Sequence, residues 1–245
     1  MSTFNIWFES YYAAKRYPAI VELLARDAPD VMAFQEVTAD ALTVFCEQSW
    51  IRERYCRVAV TGRGVGNYGM LVLSRIPIRR ATYIPLPTRM ARGIVVAELD
   101  VGGSGLAVGS IHLDSGKTSA PLRARQMAKT FRAVAEHENA VLVGDFNMRD
   151  SENDQIVGPF TDVWPALRPD DPGFTEDTSI NLMRFDSKNK HRHVRFDRVL
   201  LKGSGWAAAD IGLIGTEAIA PDLPRVFPSD HFGVRSRLVR RQRSG

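Results

Sequence analysis

Directly after the apolar run Ala140, Val141, Leu142 and Val143, the chain presents Asp145, Asn147 and Arg149 within five positions. A carboxylate, an amide and a guanidinium offer a proton acceptor, a neutral donor and a fixed positive charge. The same event recurs elsewhere: Asn5 lies in the first apolar run, Gln35 and Glu36 close "VMAFQE", and His112 closes "GLAVGSIH". Asp197 sits in "VRFDRVLL", and Asp230 with His231 opens the last strand in "PSDHFGV". Taken singly, Asn5 or His112 reads as a hydrogen-bonded residue in or near the core. As a set they occupy junctions where stability alone would favour turn formers, and strand ends at one sheet edge can converge on one pocket.

The donor types narrow the chemistry. Carboxylate and amide oxygens without a cysteine cluster suit Mg²⁺, with Mn²⁺ as a substitute, rather than zinc. A hard cation beside an Asp base, with Asn and His donors for a charged phosphorane-like transition state, fits water attacking phosphorus. The chain has no Gly-x-Ser-x-Gly, no Cys paired by motif with His, and no Gly-rich phosphate loop ending in Lys and Ser or Thr.

Elements able to position such a set are legible. Apolar or alternating runs predict strands at 3–8, 31–36, 57–61, 68–74, 94–101, 105–112, 140–145, 195–201 and 233–239. Ile20, Leu23 and Leu24 with flanking Ala residues predict one helix stopped by Pro29. In "SAPLRARQMAKTFRAVAEHE", Ser119 is the expected cap and Pro121 suits the first turn. Leu122, Met127, Phe131 and Val134 then point inward, and the arginines outward. Many strands with few helices between them imply sheets packed on each other with helices outside. The polar stretch 168–194 is expected to be a long loop.

Composition sets outer bounds. A chain of 245 residues, 44% hydrophobic and 24% charged, is globular and long enough for one large core. Its formal charge of +4 comes mostly from arginine, a side chain suited to phosphate, and permits an anionic partner without requiring one. Two cysteines, Cys46 and Cys56, are too few for a disulfide framework and are expected to be reduced thiols in an intracellular protein, nuclear if eukaryotic and cytoplasmic if bacterial. No segment approaches the roughly 18 apolar residues of a membrane-spanning helix.

In this order along the chain, "QEV" (35–37), "IHLDS" (111–115), "GDFNMRD" (144–150), "RFDRV" (195–199) and "FPSDHFGV" (227–234) resemble the endonuclease/exonuclease/phosphatase superfamily, which includes DNase I and the apurinic endonucleases. With "IPLPTRMAR" (84–92) and "TDVW" (161–164), the resemblance narrows to its tyrosyl-DNA phosphodiesterase branch. The resemblance implies a DNase I-like four-layer α/β sandwich, two mostly antiparallel sheets face to face with helices outside, as one catalytic domain over 1–239. Residues 240–245 would form a basic disordered tail.

Carried over by position, the resemblance gives Glu36 to Mg²⁺, with Asp230 and Asn5 close to the metal or its waters. Asp145 becomes the general base, Asn147 a donor to the non-bridging oxygens, and His231 the stabiliser of the transition state, held by Asp197. His112 and Ser115 would contact the scissile phosphate and Arg149 would grip DNA. Tyr68 would lie near the substrate, and Arg89 and Arg92 would add positive charge. The implied reaction is hydrolysis of a 5′-phosphotyrosyl-DNA bond by a monomer, with no membrane partner. Two positions depart from the pattern: Trp7 stands where the family has an acid, and Glu176 where it has an aromatic, which would remove a stacking surface. The same site would also serve an apurinic endonuclease, a general nuclease or a small-molecule phosphodiesterase, and a silent nucleic-acid-binding domain is a third reading.

Overall fold

The runs that look uniformly apolar in the sequence prove to alternate between two different cores. In the computed structural model, which describes residues 1–241, β2 (Val31–Val37) sends Val31 and Ala33 to one cluster and Met32 and Phe34 to another. In β8 (Ala140–Asp145), Val141 and Val143 join the first cluster, while Ala140 and Leu142 face a third. A strand buried on both faces needs apolar residues at every position, so the period of two is hidden in the sequence and visible only in the packing.

Two six-stranded sheets enclose the shared cluster. One runs β13 (Trp206–Ile214), β14 (Gly233–Arg240), β1 (Ser2–Asn5), β2, β4 (Gly69–Ser74), β3 (Cys56–Val60). The other runs β5 (Ile78–Pro85), β6 (Gly93–Val101), β7 (Ser104–His112), β8, β12 (Asp197–Lys202), β9 (Phe160–Asp162). Among the described residues only β1 with β2 and β7 with β8 pair in parallel; every other ladder is antiparallel. Helices α1 (Ala13–Asp27), α2 (Ala39–Glu47) and α3 (Ser49–Arg54) cover the outer face of the first sheet. Helix α4 (Ala120–Ala133) covers the second, so the expected four layers are present. The short α5 (Val163–Leu167) follows β9.

The stretch 168–194 is not a structureless loop. It holds a two-stranded ribbon, β10 (Glu176–Asp177) with β11 (His193–Val194), and a helix α6 (Leu182–Lys188) capped by the Asn181 side chain. Helix α4 also departs from expectation: Ser119 makes no capping hydrogen bond, Leu122 is half-buried, and Arg123 points inward. Its guanidinium makes a two-pronged pair with Glu152 at 2.7 and 2.8 Å and donates to the carbonyls of Asp114 and Gly116. Glu152 in turn accepts the Arg149 N–H, so one buried pair ties together the loops that follow β7 and β8. Breaking such a pair from one side costs about 3–5 kcal/mol because it leaves an unneutralised buried charge. Glu152→Ala is therefore expected to lower unfolding free energy by about 3 kcal/mol in urea titration; a loss indistinguishable from that of a surface substitution would remove the pair from this role.

Arg240, expected in the tail, is the last residue of β14 and pairs with Trp206. Arg241, also expected in the tail, donates its N–H to the Gly205 carbonyl at 2.9 Å, and 242–245 lie outside the described residues. Gly144, with φ 137°, is required because a Cβ there would strike the carbonyl of Ile111 on β7. The close approach is between strands.

Candidate active site

Strand period and register assemble the site. On the inter-sheet face, Val141 and Val143 lead by steps of two to Asp145, Val199 leads back to Asp197, and Val108 leads through Ser110 to His112. The ladders then set Asp145 directly opposite Asp197 on one side and His112 on the other. Asn5, at the end of β1 in the facing sheet, donates from Nδ2 to Asp145 Oδ2 at 3.0 Å.

Glu36 reaches the same edge by a different device. As an even-numbered residue of β2 it should share the helix-facing side of Met32 and Phe34, but a bulge between Gln35 and Val37 puts it at φ 60° and turns its side chain. Its Oε2 accepts the Phe8 N–H at 3.1 Å, and its Oε1 lies 3.7 Å from His112 Nε2. Asn147 and Trp7 likewise adopt φ of 50° and 57°, so the turns leaving β8 and β1 are both left-handed. Such backbone in non-glycine residues stores strain of about 1–3 kcal/mol and gathers where function over-determines geometry.

Asp145 is fully enclosed by donors. Oδ1 accepts the Asn147 N–H at 2.8 Å, and Oδ2 accepts Asn147 Nδ2 at 3.0 Å beside the Asn5 bond. Burial pushes its carboxyl up to about 7, with Asp197 adding to the rise and His231 and these hydrogen bonds opposing it. The second amide hydrogen of Asn147 goes to the Leu113 carbonyl at 3.1 Å. Asn147, expected to donate to phosphoryl oxygens, therefore has both Nδ2 hydrogens engaged in holding Asp145 and the loop after β7.

His231 Nδ1 lies 2.7 Å from Asp197 Oδ2. Burial disfavours its imidazolium, but the charges of Asp197, Asp145 and Asp230 and the Asp197 hydrogen bond hold it well above the ordinary histidine value. His112 goes the other way: burial and the charges of Arg92 and His231 put it well below that value. The two histidines therefore take opposite protonation states at neutral pH, a division between charged and neutral donors.

Two further carboxylates suit a cation. Glu36 and Asp230 are both raised by burial, and Asp230 adds to the rise at Glu36. Asp230 finds only Ser229 Oγ at 3.5 Å and the Arg184 guanidinium at 3.7 Å. Buried, mutually repelling and weakly neutralised oxygens are what a divalent ion relieves. Asp145, Asp197 and His231 also offer ligand atoms within 4.8 Å of one another; Asp145 is engaged with Asn5 and Asn147 and His231 Nδ1 with Asp197 Oδ2, while Asp197 Oδ1 is buried without a hydrogen-bond partner among the described residues.

The remaining expected residues divide. Arg92 is buried with Nη1 2.9 Å from His112 Nδ1, and its guanidinium stands 5.3 Å from the Tyr68 ring centre. Tyr68 stacks near His112 and Phe8. Ser115 touches Met90 Sδ, Arg89 is exposed, and Arg149 lies over the Phe196 ring at 5.7 Å. Arg92 is thus an interior group rather than a surface cation.

Both departures from the family pattern turn inward. Trp7 packs with Met183, Phe227 and Phe232, under the Arg16 guanidinium at 4.7 Å. Glu176 is buried against Arg184 at 2.6 Å and Arg192 at 3.2 Å, so that position is an ion-paired anchor rather than a bare spot on a stacking surface. Three contributors had no sequence signal. Arg16 gathers the carbonyls of Ile6, Trp7, Glu9, Tyr11 and Pro228 and so holds the turn after Asn5. Thr175 Oγ1 accepts the N–H groups of Phe196 and Asp197. Arg184 brings a cation beside Asp230 from a stretch that looks like loop.

A family model described as the endonuclease/exonuclease/phosphatase family matches residues 2–231. Tyrosyl-DNA phosphodiesterase 2 of Xenopus laevis is 30% identical over 256 residues, covering 95% of this chain and 65% of that protein. The Homo sapiens protein of the same name is 29% identical, covering 92% and 63%. The chain thus spans somewhat under two thirds of the length of these relatives. Among solved structures, D. rerio TDP2 complexed with single strand DNA product superposes with a TM-score of 0.86 at 22% identity, covering 97% of both chains. Truncated Caenorhabditis elegans TDP2 gives 0.80 at 23% identity, covering 95% and 94%. These likenesses bear out the four-layer fold.

Proposed function

Because this chain belongs to the endonuclease/exonuclease/phosphatase family, we propose that it is a Mg²⁺-dependent phosphodiesterase that cleaves the bond between a tyrosine side chain and a DNA 5′ phosphate. The product is a 5′-phosphate end, and the setting is intracellular repair of topoisomerase-type adducts by a monomer. The observation that carries the reading is Asp145: a buried carboxylate near pH 7, immobilised by Asn5 and Asn147 between a neutral and a charged imidazole. The names of the curated relatives support the substrate.

Asp145 orients water and takes its proton, with a carboxyl value close to the operating pH, where a general base is most effective. His231, as imidazolium steadied by Asp197, faces the charge that grows on the phosphoryl oxygens. His112 and Ser115 take the scissile phosphate, and Arg149 holds the DNA beyond it. Tyr68 lies beside the leaving ring, whose phenol, with a pKa of about 10, departs more readily than an alkoxide. Glu36 and Asp230, with Asn5 adjacent, would hold Mg²⁺, which when bound polarises a phosphoryl oxygen as a Lewis acid. No helix of the described residues is long and apolar enough to cross a membrane.

A panel of a 5′-phosphotyrosyl oligonucleotide, an abasic duplex and an inositol polyphosphate, each with Mg²⁺ and with chelator, tests the reading. Mg²⁺-dependent release of tyrosine, faster than turnover of the other two, is expected. Faster cleavage of the abasic duplex or the inositol polyphosphate would replace the proposed substrate.

A further inference from the structure

We propose that Arg92 is a positioning residue that fixes the tautomer of His112, and that Asp114 is the clasp holding Arg92 in place. The catalytic part of this inference rests on the phosphodiesterase reading; the tautomer itself does not.

A guanidinium carries donors only. With Arg92 Nη1 at 2.9 Å, His112 Nδ1 must be the acceptor, and the single hydrogen of the neutral ring belongs on Nε2. That nitrogen is buried with no hydrogen-bond partner. It lies 3.5 Å from Asp145 Oδ2 and 3.7 Å from Glu36 Oε1. In the other tautomer a ring lone pair would face both carboxylates, an arrangement that two negative groups oppose. The Nε2–H is therefore held, unengaged and neutral, at the edge where the base stands, ready for an oxygen of the substrate. Arg92, expected to add positive charge near the site, also acts through the ring.

The loop that delivers Arg92 is built for this purpose. Asp114, fully buried two residues beyond His112, accepts Thr88 Oγ1, the Arg89 N–H at 2.9 Å and Gln126 Nε2 at 2.8 Å. Thr88 Oγ1 in turn accepts the N–H groups of Met90 and Arg92 at 2.9 and 3.2 Å, and Gln126 Nε2 also reaches the Pro87 carbonyl. The Leu86 N–H closes the loop on the Arg92 carbonyl at 3.0 Å. The strand end that bears the imidazole thus also anchors the segment that orients it. A buried carboxylate engaged entirely by neutral donors has a positional role rather than a charge-pairing one.

The test is nitrogen NMR of protein carrying ¹⁵N-labelled histidine, with His112 assigned by comparison with His112→Gln. The wild-type ring is expected to show the neutral Nε2–H pattern. Arg92→Met is expected to convert it to a mixture or to Nδ1–H, with Arg92→Lys restoring part of the Nε2–H population. Asp114→Asn, which keeps size and fold while loosening the loop, is expected to move the same signal in the same direction. With the tyrosyl substrate, kcat of Arg92→Met should fall about 10- to 100-fold, as for other residues that orient a functional histidine, with KM changing less than kcat. An unchanged Nε2–H pattern in both Arg92→Met and Asp114→Asn would overturn the proposal, as would a shifted tautomer with unaltered kcat. If the wild-type protein cleaves no phosphodiester but the signals move as described, the phosphodiesterase reading fails and the tautomer assignment stands.

Discussion

Asp145→Asn is expected to reduce turnover by about 10³-fold or more, at the upper part of the range for loss of a general base, and at the same time to make the protein more stable near neutral pH. The sign follows from burial. The unfolded carboxyl ionises near its ordinary value of 3.8, whereas the folded one does so at about 7. Below pH 4 both states are protonated and the carboxyl does not disfavour folding. As pH rises toward 7 the unfolded chain ionises first, and stability is lost until the folded group has also titrated. Each unit of separation is worth about 1.4 kcal/mol. Against this, the amide loses the acceptor that faces the Asn147 N–H, about 1 kcal/mol. A net gain of roughly 3 kcal/mol at pH 8, giving way near pH 4 to a loss of about 1 kcal/mol, is the expected result of thermal unfolding across that range. Near-normal turnover would remove Asp145 as base; equal stability of the two proteins at every pH would remove the burial argument.

Asp197→Asn should cost about 10³- to 10⁴-fold in kcat, by analogy with other His–Asp pairs in which the carboxylate fixes the ring, through a different route. Burial alone would leave His231 neutral; the charge and hydrogen bond of Asp197 are the largest contributions that keep it protonated. Wild-type activity that depends on the imidazolium should persist well above the ordinary histidine value and fall only as pH passes the raised one. In the variant that alkaline limb should move down. A kcat–pH profile measures this directly, and a variant that lost activity with an unshifted limb would assign Asp197 a structural role only.

What the sequence disclosed followed from burial. The central strands and α1 were legible because their apolar residues are continuous or periodic, and the polar residues ending those strands mark the site. Five strands escaped for the opposite reason. The edge strand β5, "IRRATYIP", is largely exposed or half-buried, β13 is rich in alanine, β9 is three residues long, and β10 and β11 are two residues each. Glu36 was found as a residue, but the bulge that aims it was not, since a left-handed Glu leaves no mark on its neighbours. Arg123 departs from expectation because charge predicts exposure unless the partner is known, and its partner Glu152 lies 29 residues further along the chain. Asn147 stands beside Asp145, yet Asp145 and Leu113 engage the hydrogens expected for substrate.

The position of β1 has a consequence for how the site comes into being. This strand lies between β2 and β14, and the Asn5 carbonyl accepts Ser229 Oγ across a separation of 224 residues. Within this chain β1 precedes, and β14 follows, the segments carrying Glu36, His112, Asp145 and Asp197, so the ladder that pairs Ser2 with Arg235 closes only after all of them are made. Contacts of such long range make folding slow. The site's geometry thus waits for this closure, and a nascent chain stalled before Ser229 and β14 carries the strands bearing His112, Asp145 and Asp197 without the contacts those later residues make to β1.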